Sequence, residues 1–187
     1  MTPTIRDFPD YFETERLLIR APRPGDGKII NAGLRESIVE LRPWMPWAKE
    51  IPPVEESEQF ARRGAAGWLM QDDMPLLIFR RTDGVYLGGS GFHRIEWAIP
   101  SLEIGYWLRT SQTGNGYMTE AVIGMTKFAF EVMGVERIEI RCDSRNTRSA
   151  AIAQRAGYTR EALFRHHLRA PDGSLRDTLV FARLAGD

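Results

Sequence analysis

The segment EIGYWLRTSQTGNGYMTEA, residues 103–121, changes periodicity twice. Glu103 to Leu108 alternate as in a strand, Gly114 and Gly116 bracket Asn115, and from Thr119 the spacing turns helical. A strand, a glycine-containing turn and a helix N-terminus together make an anion site. Glycines let the backbone approach a phosphate closely, and the unpaired N–H groups of the first helical turn point at it. The segment therefore reads as a cradle for the pyrophosphate of a nucleotide-like cofactor, built from Gly114, Asn115, Gly116, Tyr117, Met118 and Thr119. It also reads as an ordinary strand-to-helix turn capped at Thr119.

Outward from this segment the pattern is mixed. Upstream, Leu17 to Ala21 suggests a strand, with residues 1–13 an irregular lead-in. Asp26 can cap a helix with an apolar face through Ile30, Leu34, Ile38 and Leu41. The prolines of Leu41-Arg-Pro-Trp-Met-Pro-Trp47 break that helix and leave Trp44 and Trp47 in a loop. Pro53 suits the first position of a second helix. Leu76 to Arg80 and Val85 to Arg94 read as a hairpin about Thr82-Asp-Gly84.

Downstream, the helix from Thr119 is apolar enough to be mostly buried, and Gly134 can end it. Arg137 to Cys142 is a strand, Asn146 caps another helix stopped by Gly157, and two strands follow near 158–168 and 176–184. The order β-α-α-β-β-β-α-β-α-β-β describes one α/β domain over residues 14–187, a mixed sheet covered by helices.

Composition narrows the function. The 187 residues suit a single domain with a full core. Lysine plus arginine number 25, as do aspartate plus glutamate, so no sequence-independent grip on nucleic acid or an anionic membrane is expected. No apolar run approaches the roughly 18 residues of a membrane span. The single cysteine, Cys142, excludes an intrachain disulfide and fits a reducing cytosol. No His/Cys cluster has metal-ligand spacing, so no metal is expected.

Four motifs in order carry a resemblance: residues 41–47, Glu103-Ile-Gly-Tyr-Trp-Leu108, Gly114-Asn-Gly-Tyr-Met-Thr-Glu-Ala121, and Asn146-Thr-Arg-Ser149 followed by Arg155-Ala-Gly-Tyr158. With them the chain resembles the GCN5-related N-acetyltransferases (GNAT), and among these the enzymes acetylating ribosomal-protein N-termini. The resemblance implies a mostly antiparallel sheet with one splayed parallel pair and about four helices. It implies acetyl-CoA as donor and an amine as acceptor, either a protein N-terminus or a small amine. A non-catalytic acyl-CoA-binding module is the rival from another class. The group also allows a homodimer, of which the residues carry no independent sign. Thr113 and Met118 depart from the family's phosphate-loop pattern, so the cradle rests on glycine placement and main-chain N–H groups.

By the same resemblance, backbone groups at Trp107 and Leu108 bind the pantetheine arm, and an N–H there polarises the thioester carbonyl; a regular paired strand is the alternative. Glu103 shares a strand face with Gly105 and Trp107, and a carboxylate there can take the proton of an attacking ammonium if burial raises its pKa. His93, His166 and His167 are rival bases. Asn146 binds the cofactor arm and Ser149 donates to the departing thiolate, unless the pair is only a helix cap. Arg145 and Arg148 can meet the 3′-phosphate or be solvated charges. Trp44, Trp47 and His93 are assigned to the acceptor cleft. Tyr158 reads as core, with a weaker proton-donor reading, and Cys142 as a buried strand residue rather than a nucleophile.

Overall fold

The computed structural model describes residues 6–170 and 172–187. Eight strands form one sheet: β1 Tyr11–Glu13, β2 Leu17–Arg20, β3 Met74–Arg80, β4 Tyr86–Glu96, β5 Ser101–Leu108, β6 Arg137–Asp143, β7 Thr159–Arg169 and β8 Leu175–Leu184. Their order is β1-β2-β3-β4-β5-β6-β8-β7. All neighbours are antiparallel except β5 and β6. The helices are α1 Gly27–Leu41, α2 Val54–Met70, α3 Tyr117–Glu131 and α4 Thr147–Arg155. This is the expected mixed α/β sheet with a single parallel pair and four helices.

Two apolar clusters sandwich the sheet. On one face Leu17, Ile19, Leu76 and Ile78 pack with Val122, Met125 and Phe128 of α3. On the other, Leu77 and Phe79 pack with Ile30, Leu34 and Ile38 of α1. Alternate residues of β3 thus serve opposite cores, which is why it reads as an unbroken apolar run instead of alternating.

Several local expectations shift. The lead-in includes a strand: Tyr11–Glu13 pair with β2, while residues 1–5 lie outside the described residues. Asp26 precedes α1 but makes no side-chain cap. Its carboxylate instead accepts from the Arg20 guanidinium at 2.7 and 2.8 Å and from the Arg23 N–H at 2.7 Å. A charged donor outcompetes a helical N–H for the same oxygens. Pro53 lies one position before α2, at its N-cap. Helix α3 begins at Tyr117, two residues before Thr119, because Gly116 takes the left-handed conformation (φ 76°) and turns the chain directly into it.

The feature that creates the site lies mid-sheet. β5 and β6 pair only from Ser101/Arg137 to Glu103/Glu139. Beyond that point the strands part, although β5 runs on to Leu108 and β6 to Asp143. β5 stays on β4 throughout, Gly89 opposite Trp107 and Gly88 opposite Leu108. The gap therefore opens wholly on its β6 side.

Candidate active site

A cavity of about 940 Å³ opens at this gap. Its walls come from α1 and α2, the loop between them, β4, β5, β6, the start of α4 and the β7–β8 hairpin. Nine of the residues singled out from sequence line it: Trp44, Trp47, His93, Glu103, Trp107, Cys142, Asn146, Ser149 and His167. Leu108 and the 114–119 turn lie outside its lining. Tyr158 is core, bonded through its hydroxyl to Thr126 Oγ1 at 2.6 Å, and burial pushes its pKa up to about 12.

The glycines of β4 shape the floor. A Cβ on Gly89 would lie 2.6 Å from Trp107 Nε1, and one on Gly91 would lie 2.7 Å from the His93 ring. Only hydrogen at these positions lets both rings lie against the sheet. Trp47 then meets Trp107 edge-on at 6.3 Å, and Tyr86 meets it at 6.1 Å.

Glu103 sits on this floor directly opposite His93. Its Oε2 is 3.5 Å from Arg94 Nε and 3.4 Å from Arg141 Nε, yet it is buried with no hydrogen-bond partner. The arginines are thus charge neighbours, not donors. Burial raises the Glu103 pKa above the ordinary carboxylate value, and the Arg94, Arg141 and His93 charges only partly offset it. Arg141 is divided, since it also bonds Glu139 at 2.7 and 2.9 Å. His93 Nδ1 is 2.5 Å from Asp73 Oδ1, and this hydrogen bond holds the Asp73 pKa down despite burial. His167 Nδ1 lies 3.1 Å from Thr178 Oγ1 at the far wall, and the backbone N–H of His166 is held by Asp177.

Across the gap, the Asn146 side chain accepts from the Ser149 N–H at 3.1 Å and caps α4. Ser149 Oγ lies 3.2 Å from Tyr106 Oη, which itself donates to the Ser149 carbonyl at 2.9 Å. Tyr106 therefore fixes Ser149 from β5, a link between gap walls that no sequence spacing announces. Burial raises the Tyr106 pKa, keeping it a neutral donor. Cys142 lines the same wall, and burial raises its thiol pKa too, which disfavours a nucleophilic thiolate. Arg145 is committed to Asp143 through Nε at 3.0 Å and Nη2 at 2.8 Å.

The backbone of β5 has a definite polarity at the gap. The Arg109 N–H donates to the Leu87 carbonyl at 2.8 Å, so odd-numbered residues turn their peptide groups toward β4. By alternation, Trp107 is committed to β4, while Tyr106 and Leu108 present theirs to the gap, beyond the last rung of the β5–β6 ladder at Glu103/Glu139. The Leu108 peptide groups thus face away from β4 and those of Trp107 toward it. Trp107 contributes its ring.

The glycine turn sits beyond β5, tethered to α1. Glu36 accepts from Arg109 Nε at 2.9 Å and from the Ser111 N–H at 2.8 Å, and Ser37 Oγ accepts from the Thr110 N–H at 3.0 Å. Among the described residues, no acceptor engages the N–H groups of Gly114, Gly116, Tyr117, Met118 or Thr119. Two arginines that sequence reasoning passed over stand beside them. Arg16 donates to the Asn115 carbonyl at 3.1 Å and lies over the Tyr117 ring at 4.8 Å; Arg80 reaches Gln112 at 3.3 Å. Glu120, the acidic residue of the first turn, is ion-paired with Arg16 and accepts a hydrogen bond from the Thr14 hydroxyl. The turn therefore offers free N–H donors, with Arg16 paired to Glu120 and Arg80 to Asp83 beside it.

The chain belongs to the acetyltransferase (GNAT) domain family, whose pattern it matches over residues 16–159. It is 32% identical over 108 residues to an uncharacterized N-acetyltransferase, p20, of Bacillus licheniformis, a match spanning 58% of this chain and 60% of that protein. It is 26% identical over 132 residues to the ribosomal-protein-serine acetyltransferase of Escherichia coli K12, covering 68% and 73%. RimL, a ribosomal L7/L12 alpha-N-protein acetyltransferase solved with coenzyme A, shares the fold at TM-score 0.85 and 22% identity over 91% of this chain and 95% of its own. Among the described residues, no helix is long and apolar enough to cross a membrane, and no group of three or more His, Cys, Asp or Glu is placed to hold a metal.

Proposed function

We propose that this protein transfers an acetyl group from acetyl-CoA to a primary amine, the N-terminal amine of a protein, ribosomal proteins being the class suggested by its relatives. The observation that carries the reading is Glu103: a buried carboxylate of raised pKa with an unpartnered oxygen, on the wall of a gap whose other wall presents the Ser149 hydroxyl. A binding module has no use for such an oxygen, whereas an amine nucleophile must shed a proton.

Acetyl-CoA supplies the activated acyl group. The Gly114–Thr119 N–H groups, with Arg16 and Arg80 nearby, bind its pyrophosphate, and Asn146 with the free backbone of β5 aligns the pantetheine arm. Glu103 takes the ammonium proton, directly or through water. The N–H groups that β5 turns into the gap, Leu108 among them, donate to the negative charge developing on the acyl oxygen. Ser149, held by Tyr106, protonates the departing thiolate. Trp44, Trp47 and His93 form the acceptor side.

Release of free thiol from acetyl-CoA, followed across N-terminal peptides, polyamines and aminoglycosides, tests this. Turnover of peptides is expected. Turnover of small amines alone would replace the acceptor class, and saturable CoA binding without turnover of any amine would make the protein a binding module.

A further inference from the structure

Among the described residues, three buried side-chain atoms have no hydrogen-bond partner: Tyr86 Oη, Glu103 Oε2 and Arg176 Nε. All three residues line the one cavity. The Glu103 atom is explained by the proposed reaction. Arg176, on β8, is not. Its side chain is 10% exposed, and its nearest anion, Asp143 Oδ2, is 3.9 Å from Nη1 and already bonded by Arg145 at 2.8 Å. Among the described residues, Nη1 otherwise reaches only the Trp44 carbonyl at 3.5 Å. A buried cation so loosely matched is costly unless a ligand completes it. Guanidinium is suited to a carboxylate, which it can bind through two parallel N–H groups.

We propose that Arg176 is a specificity residue that recognises a carboxylate on the acceptor. The sheet sets its distance from the base. Glu103 is level with Glu139 on β6, and Thr178 is level with Asp143. Arg176 lies two residues beyond Thr178. At a rise of about 3.3 Å per residue, its backbone is roughly 20 Å along the sheet from Glu103. A free amino acid, with amine and carboxylate on one carbon, does not span this interval even with both side chains reaching inward. An extended peptide does so with an acidic side chain at its third or fourth residue. This rests on the amine-acceptor reading above and names the class of peptide.

The experiment uses the full chain, with coenzyme A for binding and acetyl-CoA for turnover, and peptides carrying Asp, or Asn as the matched neutral residue, at each of positions two to five. Free aspartate and glutamate form the small-carboxylate arm. Binding is measured by calorimetry and acetylation by thiol release. Wild type is expected to bind an Asp peptide about tenfold or more tightly than its Asn partner, with the preference greatest at position three or four. In R176Q that ratio should fall to near one. In R176E, peptides with Lys at the same position should become the preferred ones. Melting curves identify any variant that fails to fold, in which case R176K, which keeps the charge but loses the planar fork, is read in its place, with a reduced ratio expected. Equal binding of Asp and Asn peptides by wild type, a preference surviving in R176Q, or preferred binding of free aspartate overturns the proposal. Acid-selective binding without acetylation sinks the reaction and leaves the recognition standing. Acetylation without acid selectivity does the reverse.

Discussion

Replacing Glu103 by Gln separates catalysis from stability. The substitution keeps the shape and removes the charge. Because burial outweighs the attraction of Arg94 and Arg141, the folded protein favours the neutral acid relative to the unfolded chain. A raised folded pKa contributes stability that is fully present below the unfolded value and lost as pH rises through the folded one. The neutral variant loses nothing in this way, so its melting temperature at pH 7 should match or exceed that of wild type, and the difference should grow as pH rises through the Glu103 titration. Turnover should behave oppositely. A positioned base is worth roughly 10²–10⁴ in rate, about 3–5 kcal/mol of barrier. The assay is thiol release at saturating acetyl-CoA from pH 5 to 9, with acetyl-CoA affinity measured in parallel by calorimetry. Wild type should lose turnover in acid as Glu103 takes up a proton. The variant should lack that limb and retain only the one set by the acceptor amine. Turnover within threefold of wild type and the same acid limb would refute the assignment and move the base to the His93–Asp73 pair. A lost acetyl-CoA affinity would instead mean that Glu103 shapes the donor site.

Other perturbations address the remaining parts. Asn146→Ala removes the α4 cap and should cost about 1 kcal/mol, lowering the melting temperature by roughly 2–4 °C, and it should weaken acetyl-CoA binding in calorimetry. Gly116→Val places a β-branched side chain at φ 76° and should lower acetyl-CoA affinity at least about tenfold; unchanged affinity would remove the turn from the donor site. Tyr106→Phe frees Ser149 and should reduce turnover several-fold with little change in acetyl-CoA affinity, read from paired kinetics and calorimetry. Burial pushes the Asp143 pKa up, but hydrogen bonds and charge from Arg145, aided by Arg176, bring it below the usual value. Its stabilisation is therefore present above the unfolded pKa and lost as pH falls through the folded one. Asp143→Asn should melt lower than wild type at pH 7, and the gap should begin to narrow only below about pH 4, as pH falls toward the depressed folded pKa.

Sequence periodicity revealed what depends on near neighbours. Asn146 caps α4 because the bonded N–H is three residues away, and the buried face of α3 follows from its own spacing. What it could not reveal depends on partners brought by other strands. Three residues of β1 carry too little alternation to be told from coil. Asp26 resembles a cap until Arg20 folds onto it. The surroundings of Glu103 assemble from Arg94 on β4 and Arg141 on β6, and Tyr106 meets Ser149 from across the gap. One signal was present but unread: the Gly88-Gly89-Ser90-Gly91 run of β4, whose missing side chains are filled by Trp107 and His93.

The parting of β5 from β6 has a consequence for the unliganded protein. A sheet that separates in its middle owns two edges that face each other, sheltered from the strand-to-strand pairing that exposed edges invite. The main-chain amides of Tyr106 and Leu108 should accordingly exchange with deuterium faster than those of Gly105 and Trp107 on the same strand. An extended ligand laid between the halves would act as a surrogate strand and remove that alternation.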